Sequence, residues 1–373
     1  MIRRFYVHNY KCLENFELPL GNHHSILLIG KNGSGKSTVG RALQVLQRLA
    51  RGINRVGELV SPKDFCRGNS NVPIRFEIEV EIAGATFAYS LALELPPGFN
   101  ELRIAEEKFV HQGAIIYERS TAQVALSRAA SSPESRFRVD WHLVALPLIL
   151  EQSTQDPLHI LKNWLARMMI LAPVPSDISG DSSGVSLFPD ESVSNFGEWF
   201  AGLLTHSPSS YSTFENYVRQ AMPDFKDIQN PIVAQDARSL TVQFEQSGTI
   251  LAIPFSDLSD GEKCFFVAAL VMASATNLPF QYSPVFCFWD EPDNFFSLSE
   301  VGTFIVMLRR RFNLGGQLVV TSHNGLAIER FSAENTFLLT RRSHLEPTMI
   351  LAIANLQFAG ELQDALARDE LTP

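Results

Sequence analysis

Gly30 is followed by Lys31, Asn32, Gly33, Ser34, Gly35, Lys36 and Ser37, the spacing G-x-x-x-x-G-K-[ST]. Glycines at these positions let consecutive backbone N–H groups close around an anion, and a helix beginning there aims its positive end at the same point. A lysine in such a loop reaches the outer phosphates of a nucleotide, and the adjoining hydroxyl can take one coordination position of Mg²⁺. Lys36 is therefore the candidate catalytic cation and Ser37 a candidate metal ligand. The pattern arises by chance in roughly one or two chains per hundred of this length, so the flanking residues decide. Ser25 to Ile29 read as an apolar strand, and Val39, Ala42, Leu43, Leu46 and Leu49 recur at helical spacing. Strand, loop and helix in that order point to a bound nucleotide.

Three later segments carry further chemistry. Val285, Phe286, Cys287, Phe288 and Trp289 lead into Asp290 and Glu291. A strand buried on both faces reads as an unbroken apolar run, and acids at its carboxyl end fall where open α/β sheets hold ligands. Asp290 would support Mg²⁺ and Glu291 would activate a water molecule; the plainer alternative is a solvated acidic turn. Leu258, Ser259, Asp260, Gly261 and Glu262 precede an apolar helix. Ser259 and Gly261 would form an anion site at its start, although taken alone an ordinary serine cap is the better reading. Gln317 to Thr321 form a third apolar strand, with Ser322 and His323 following. At that position His323 could hydrogen-bond a terminal phosphate.

These residues must be placed by a large framework. A chain of 373 residues with 45% apolar side chains builds a sizeable core, in two domains or in one with an insertion. Its net charge of −9 argues against a generally basic DNA-coating protein while leaving a local groove open. Cys12, Cys66, Cys264 and Cys287 lack C-x-x-C spacing and fit a reduced, cytoplasmic protein. The start of the chain has no signal-peptide core, and the apolar run 264–275 is too short to span a bilayer.

Strands are expected at 2–7, 16–20, 74–82, 86–95, 107–110 and 114–118, the third with strict period-two alternation. Residues 120–136, rich in serine and alanine, read as a surface connection. A helical pattern covers 141–171, interrupted at Pro147, and 173–194 is loop-like. Helices follow over 196–222 with a break near Ser207 and Pro208, then strands at 241–244 and 250–253. The end alternates again: strand 285–289, helix 300–311, strand 317–321 and helix 361–367.

The order and spacing of the four motifs resemble the ABC-type ATPase heads. Residues 30–37 match Walker A, 258–262 the LSxGE signature, 285–291 Walker B with its catalytic glutamate, and His323 the switch histidine. The resemblance implies an α/β fold, a P-loop NTPase head with a mixed sheet, flanking helices and an antiparallel β-subdomain. It implies ATP and Mg²⁺ as ligands, held by Gly30, Asn32, Gly33, Ser34, Gly35, Lys36, Ser37 and Thr38, with Ser37 and Asp290 at the metal and Glu291, His323 and Lys36 catalytic. It also implies that Ser259 and Gly261 complete the site of another subunit, in a homodimer or higher oligomer.

About 220 residues separate Lys36 from Ser259, more than in transporter ATPases, and no coiled coil fills the gap. The opening with Asn9, Tyr10 and Lys11 is similar to the SMC/RecF/OLD-like group, as are Glu106 and Glu107 with Tyr117, Glu118 and Arg119. So are the segments 195–200 and 290–292. The chain is thus read as lobes over 1–120 and 236–373 flanking a largely helical insertion over 121–235. The histidine usual after the D-E-P segment is missing from 293–298, and no glutamine lies between Gln47 and Gln112 to serve a Q-loop. With about 50 residues after His323, no TOPRIM nuclease domain is expected. The resemblance implies control of a separate effector, a nuclease or toxin, in phage defence. Two alternatives stay open: a RecF-like DNA clamp using Arg309, Arg310, Arg311, Arg341 and Arg342, and an ATP-binding scaffold with little turnover.

Overall fold

The computed structural model describes residues 1–127, 135–275 and 284–356, together with 362, 365 and 368. It divides into two compact units, one of residues 1–168, 280–286 and 331–373, the other of 169–279 and 287–330.

The first unit opens with β1 (Ile2–His8) and β2 (Phe16–Leu18), which pair antiparallel. β3 (Ser25–Ile29), buried throughout, then feeds α1 (Lys36–Ala50). The expected helical stripe of α1 is the buried one, with Val39, Ala42, Leu43, Leu46 and Leu49 in the core. A short helix, α2 (Val56–Leu59), precedes four long strands: β4 (Ile74–Ile82), β5 (Ala85–Glu94), β6 (Arg103–His111) and β7 (Ala114–Ser120). In β4 every second residue is buried, Ile74 through Ile82, while Arg75, Glu77, Glu79 and Glu81 face outward. Those outward acids pair across strands, Glu77 with Arg4 at 2.6 Å and Glu81 with Arg3 at 2.7 Å. β8 (Gln123–Leu126) and β9 (Ser135–Arg138) complete an antiparallel sheet of order β2-β1-β4-β5-β6-β7-β8-β9.

Two sequence expectations change here. The stretch 120–136 is no mere connection: β8 and β9 carry the sheet onward, with Val124 and Leu126 supplying the inward face. The helical pattern over 141–171 yields only α3 (Pro157–Ala166), capped by Asp156. The start of this stretch does not coil into a helix, because the amides of Val144, Ala145 and Leu146 are bound by residues far away in the chain. Glu107, fully buried, accepts hydrogen bonds from the N–H groups of Ala145 (2.8 Å) and Leu146 (2.9 Å) and from the hydroxyls of Tyr89 (3.0 Å) and Tyr117 (2.7 Å). The Arg119 guanidinium lies 3.6 Å from the same carboxylate and donates to the carbonyls of Thr121, Asp140 and Leu143. A carboxylate this deep persists only when paired and hydrogen-bonded, and here that requirement fixes the backbone of 140–146.

The second unit begins with β10 (Met169–Leu171), a strand where a helix was expected. Its three apolar residues are buried because it runs parallel to β17, introduced below. β11 (Asp181–Ser182) is followed by α4 (Phe196–His206) and α5 (Ser210–Ala221), broken where the sequence places Ser207 and Pro208. Five short strands follow: β12 (Phe225–Gln229), β13 (Ile232–Ala234), β14 (Ala237–Ser239), β15 (Thr241–Gln246) and β16 (Thr249–Pro254). They form two small sheets, β11-β14-β13 and β12-β15-β16. The helix α6 (Asp260–Ser274) is apolar on nearly every side, as a helix surrounded by protein must be. Phe266 on α6 meets the rings of Phe214, Phe225 and Phe255 at centroid distances of 5.5–6.0 Å. β17 (Val285–Trp289), α7 (Leu298–Asn313), β18 (Gly316–Thr321) and α8 (Gly325–Glu329) follow, with β17 and β18 buried throughout.

The chain then returns to the first unit as β19 (Thr336–Thr340), parallel to β3, and β20 (Met349–Ala352), antiparallel to β19. The helix expected over 361–367 falls largely outside the described residues. All four cysteines are free and buried, and burial pushes the Cys264 thiol up to about 12. Among the described residues no helix is long and apolar enough to cross a membrane.

Candidate functional site

In the first unit the loop between β3 and α1 is shaped by three glycines. Gly30 has φ +146°, and a Cβ there would stand 2.1 Å from the main-chain oxygen of Leu339 on β19. Gly33 has φ +80°, and Gly35, the residue before α1, has φ +108°. These left-handed values are open to glycine at little cost and strain any other residue. A Cβ at Gly35 would also crowd Thr348 Oγ1 at 2.8 Å and Cys12 Sγ at 3.0 Å. Thr348 braces the loop from behind by donating to the Ser34 carbonyl at 2.8 Å.

Lys36 is buried, and its ammonium donates to the carbonyls of Gly30 (2.8 Å) and Lys31 (3.4 Å), inside the turn. Among the described residues the buried Ser34 Oγ has no hydrogen-bond partner. Lys31, Asn32, Gly33 and Ser37 are exposed, and Thr38 is half-buried with its hydroxyl 3.6 Å from the Cys12 thiol. The loop therefore offers a glycine cradle, an orphaned hydroxyl, an enclosed cation and the amides that open a 15-residue helix. That donor set fits a polyphosphate.

In the second unit β17 delivers two carboxylates. Asp290 prolongs the β10 pairing by donating its N–H to Leu171 at 2.7 Å. One hydroxyl organises both acids: Thr321 Oγ1, at the end of β18, donates to Asp290 Oδ1 at 2.5 Å and accepts the Glu291 N–H at 2.9 Å. Glu291 has φ +49°, a left-handed backbone on a residue that has a Cβ. Its carboxylate oxygens are both engaged, one with His323 Nε2 at 3.0 Å and the other with Asn294 Nδ2 at 2.6 Å. The side chain is nevertheless 31% exposed, so it is held without being sealed. Asp293 beneath it accepts from Ser322 Oγ at 2.8 Å through Oδ2, while Oδ1 is buried and unpartnered. Burial pushes the Asp293 carboxyl up, against the opposing pull of the Ser322 hydrogen bond.

The third sequence motif is also in this unit. Ser259 caps α6 and forms a complete capping box with Glu262, whose carboxylate accepts from the Ser259 N–H (2.8 Å) and hydroxyl (2.7 Å). Within one chain the plain capping role is thus realised. A Cβ on Gly261 would lie 2.9 Å from the Phe295 carbonyl, so this glycine lets the segment following the two acids pass close over the start of α6.

Structure therefore brings Asp290, Glu291 and His323 together, and sets Gly30 through Thr38 on one loop and the first turn of α1. Thr321 and Asn294 escaped sequence reasoning; Thr321 reads as one more strand residue, although its hydroxyl closes an otherwise apolar run. The basic residues separate. Arg309 donates to the Arg330 carbonyl, Arg311 to those of Met272 and Ala275, and Arg341 to those of His344 and Glu346. Arg309 and Arg311 are half-buried, and burial lowers both of their guanidinium pKa values.

Residues 25–329 match the protein family described as “AAA domain, putative AbiEii toxin, Type IV TA system”. Among solved structures the chain is similar to an Smc head bound to the C-winged helix domain of ScpA. That match has 14% identity and a TM-score of 0.52, over 94% of this chain and 97% of the other. It is also similar to the SMC head domain from Thermotoga maritima, with 14% identity and a TM-score of 0.45 over 94% and 98%. No curated protein matches the chain.

Proposed function

The chain belongs to this AAA-domain family, as an SMC/RecF-like ABC-type ATPase, and on that premise we propose that it binds and hydrolyses ATP to control a separate protein. The observation that carries the reading is the cluster of Asp290, Glu291, Asn294, Thr321 and His323, held by hydrogen bonds of 2.5–3.0 Å at the ends of two apolar strands.

In this reading the amides of residues 30–37 cradle the phosphates, and Lys36 swings from the Gly30 carbonyl to the terminal ones. Ser37 and Asp290 would hold Mg²⁺, which would supply positive charge beside the phosphates. Glu291 accepts the proton of the attacking water. Its fixed orientation between Asn294 and His323 supplies the positioning that general-base catalysis needs. His323 can then turn from the carboxylate to the terminal phosphate. Ser259 and Gly261 act on the nucleotide of a second copy, and to do so Ser259 must exchange the Glu262 carboxylate for phosphate. ATP then stabilises the oligomer by mass action, since it binds the closed form best.

The output goes to a partner. The family description names a toxin of a toxin–antitoxin system, and the similar Smc head is seen bound to a domain of another protein. The first is in keeping with a defence setting and the second with a protein partner; that the partner is a nuclease or toxin effector acting in the cytoplasm is part of the proposal. The DNA-clamp reading draws less support, because Arg309, Arg311 and Arg341 use their guanidinium groups on main-chain carbonyls.

Glu291→Gln tests the proposal. It should bind ATP as the parent does, lose about 10²–10⁴ in turnover, and accumulate as an ATP-dependent dimer in size-exclusion chromatography. Turnover near the parent value would remove Glu291 from the role of base. Negligible turnover in the parent itself would instead favour the scaffold.

A further inference from the structure

The unit that holds the carboxylates also contains a cavity. With a volume of about 580 Å³, it opens between α5 and α7, over Phe265 of α6. That volume falls within the range of small-molecule sites. Its floor is apolar: Phe265 is half-buried, Phe304 is buried, and their rings meet edge to face at 6.2 Å. Val306 and Met307 extend the same surface.

Its charge is unbalanced. Arg310 and Arg330 both line the cavity, both are exposed, and among the described residues neither guanidinium makes an ion pair or a hydrogen bond. The one acid in the wall, Glu300, commits an oxygen to the cap of α7 by accepting from the Ser297 N–H and hydroxyl. Tyr217 is half-buried on the α5 side, and among the described residues its hydroxyl makes no hydrogen bond. The placement of Arg330 is built into the helix. Gly302 sits in the interior of α7, where glycine costs about 1 kcal/mol relative to alanine. A Cβ there would be 3.1 Å from Arg330 Nε, so the bare backbone makes room for the guanidinium. Two free arginine forks over an aromatic floor are the chemistry that recognises a planar anion: bidentate hydrogen bonds for the acid group and ring contact for the body.

We propose that this cavity binds a small anionic molecule with an aromatic body, carboxylate, sulfonate or phosphate, gripped by Arg310 and Arg330 and seated on Phe265. The cavity shares no lining residue with the loop at 30–37 or with the Asp290 cluster, and the proposal stands whether or not the chain hydrolyses ATP.

Anilinonaphthalene sulfonate, a fluorescent aromatic anion, is the probe. The full chain should bind it saturably at one site, and benzoate should compete better than inorganic phosphate, which lacks the ring. Arg310→Glu with Arg330→Glu should weaken binding about tenfold or more, the loss of one good charge-assisted pair. Arg310→Lys with Arg330→Lys should fall between the two. Among the described residues neither guanidinium makes an ion pair or hydrogen bond, so unchanged melting temperatures are expected; Gly302→Val, which displaces Arg330 by sterics alone, provides a second route to the same loss. Equal dye affinity in the parent and the double glutamate variant, or binding that phosphate displaces as well as benzoate does, would overturn the proposal.

Discussion

The loop at residues 30–37 and the turn at 290–294 solve the same backbone problem in opposite ways. Each follows a five-residue strand buried at every position, β3 for the loop and β17 for the turn. Each must reverse sharply, and each does so through left-handed φ values. In the loop those values fall on Gly30, Gly33 and Gly35, which adopt them readily. In the turn the value of +49° falls on Glu291. A phosphate cradle is made of backbone amides and can be all glycine. A general base, the role proposed for Glu291, must carry a side chain, so its left-handed backbone has to be held by its neighbours, here by Thr321 on the N–H and by Asn294 and His323 on the carboxylate. The first device is intrinsic to its own residues; the second is borrowed from the surrounding fold.

The largest expected effect comes from breaking the intrinsic device where it also packs. Gly30→Ala places a methyl group 2.1 Å from the Leu339 carbonyl, a backbone atom of β19 that cannot swing aside. Overpacking and a φ reserved for glycine together should cost about 3 kcal/mol or more, read as a lowered urea midpoint. Gly33→Ala meets nothing within 4 Å and should lose only the conformational term, about 1 kcal/mol. Equal losses at the two positions would mean that the β19 contact does not restrain the loop.

A smaller effect is expected from cutting the borrowed device. Thr321→Val keeps the shape of a fully buried side chain but removes the hydroxyl that joins Asp290 to Glu291. Leaving those partners unmade should cost about 1–3 kcal/mol. A base displaced even slightly should also lose about a hundredfold in ATP turnover, with nucleotide binding by the loop unchanged. Thr321→Ser keeps the hydroxyl and should stay near the parent in both measurements. Full turnover in the valine variant would show that Glu291 is held by Asn294 and His323 alone.

The same contrast explains what was legible in the sequence. The cradle could be read because its geometry is written as glycines at fixed spacing. β4 and β17 could be read because burial on one or both faces leaves alternation or an unbroken apolar run. What escaped are contacts between residues far apart in the chain. Thr321 lies 30 positions beyond Glu291, and Glu107 lies 38 before Ala145. Residues 141–149 have a helical pattern, yet two of their amides are claimed by a buried carboxylate whose other partners come from two strands, β5 and β7. β8 and β9 were missed for a related reason: their short serine- and alanine-bearing segments become strands only because β7 presents an edge to pair with. At Ser259 the sequence supported both a cap and a phosphate ligand, and a single chain displays the cap.

The finest test concerns the backbone at Glu291 itself. Glu291→Gly and Glu291→Ala both remove the carboxylate and lose the contacts to Asn294 and His323 equally, so they differ only in what the main chain prefers. In a right-handed helix alanine would be the more stable by about 1 kcal/mol. At φ +49° the order should invert. An L-residue pays about 1–2 kcal/mol to enter the left-handed region, while glycine's excess entropy in the unfolded chain is about 0.5–1 kcal/mol. Glycine should therefore be the more stable at position 291 by up to about 1 kcal/mol, measured as the difference between two urea midpoints at equal slope. Both variants should be inactive. If alanine proved the more stable, the turn would not be left-handed in solution, and the distinction between a backbone that relaxes into its shape and one that is held there would fall with it.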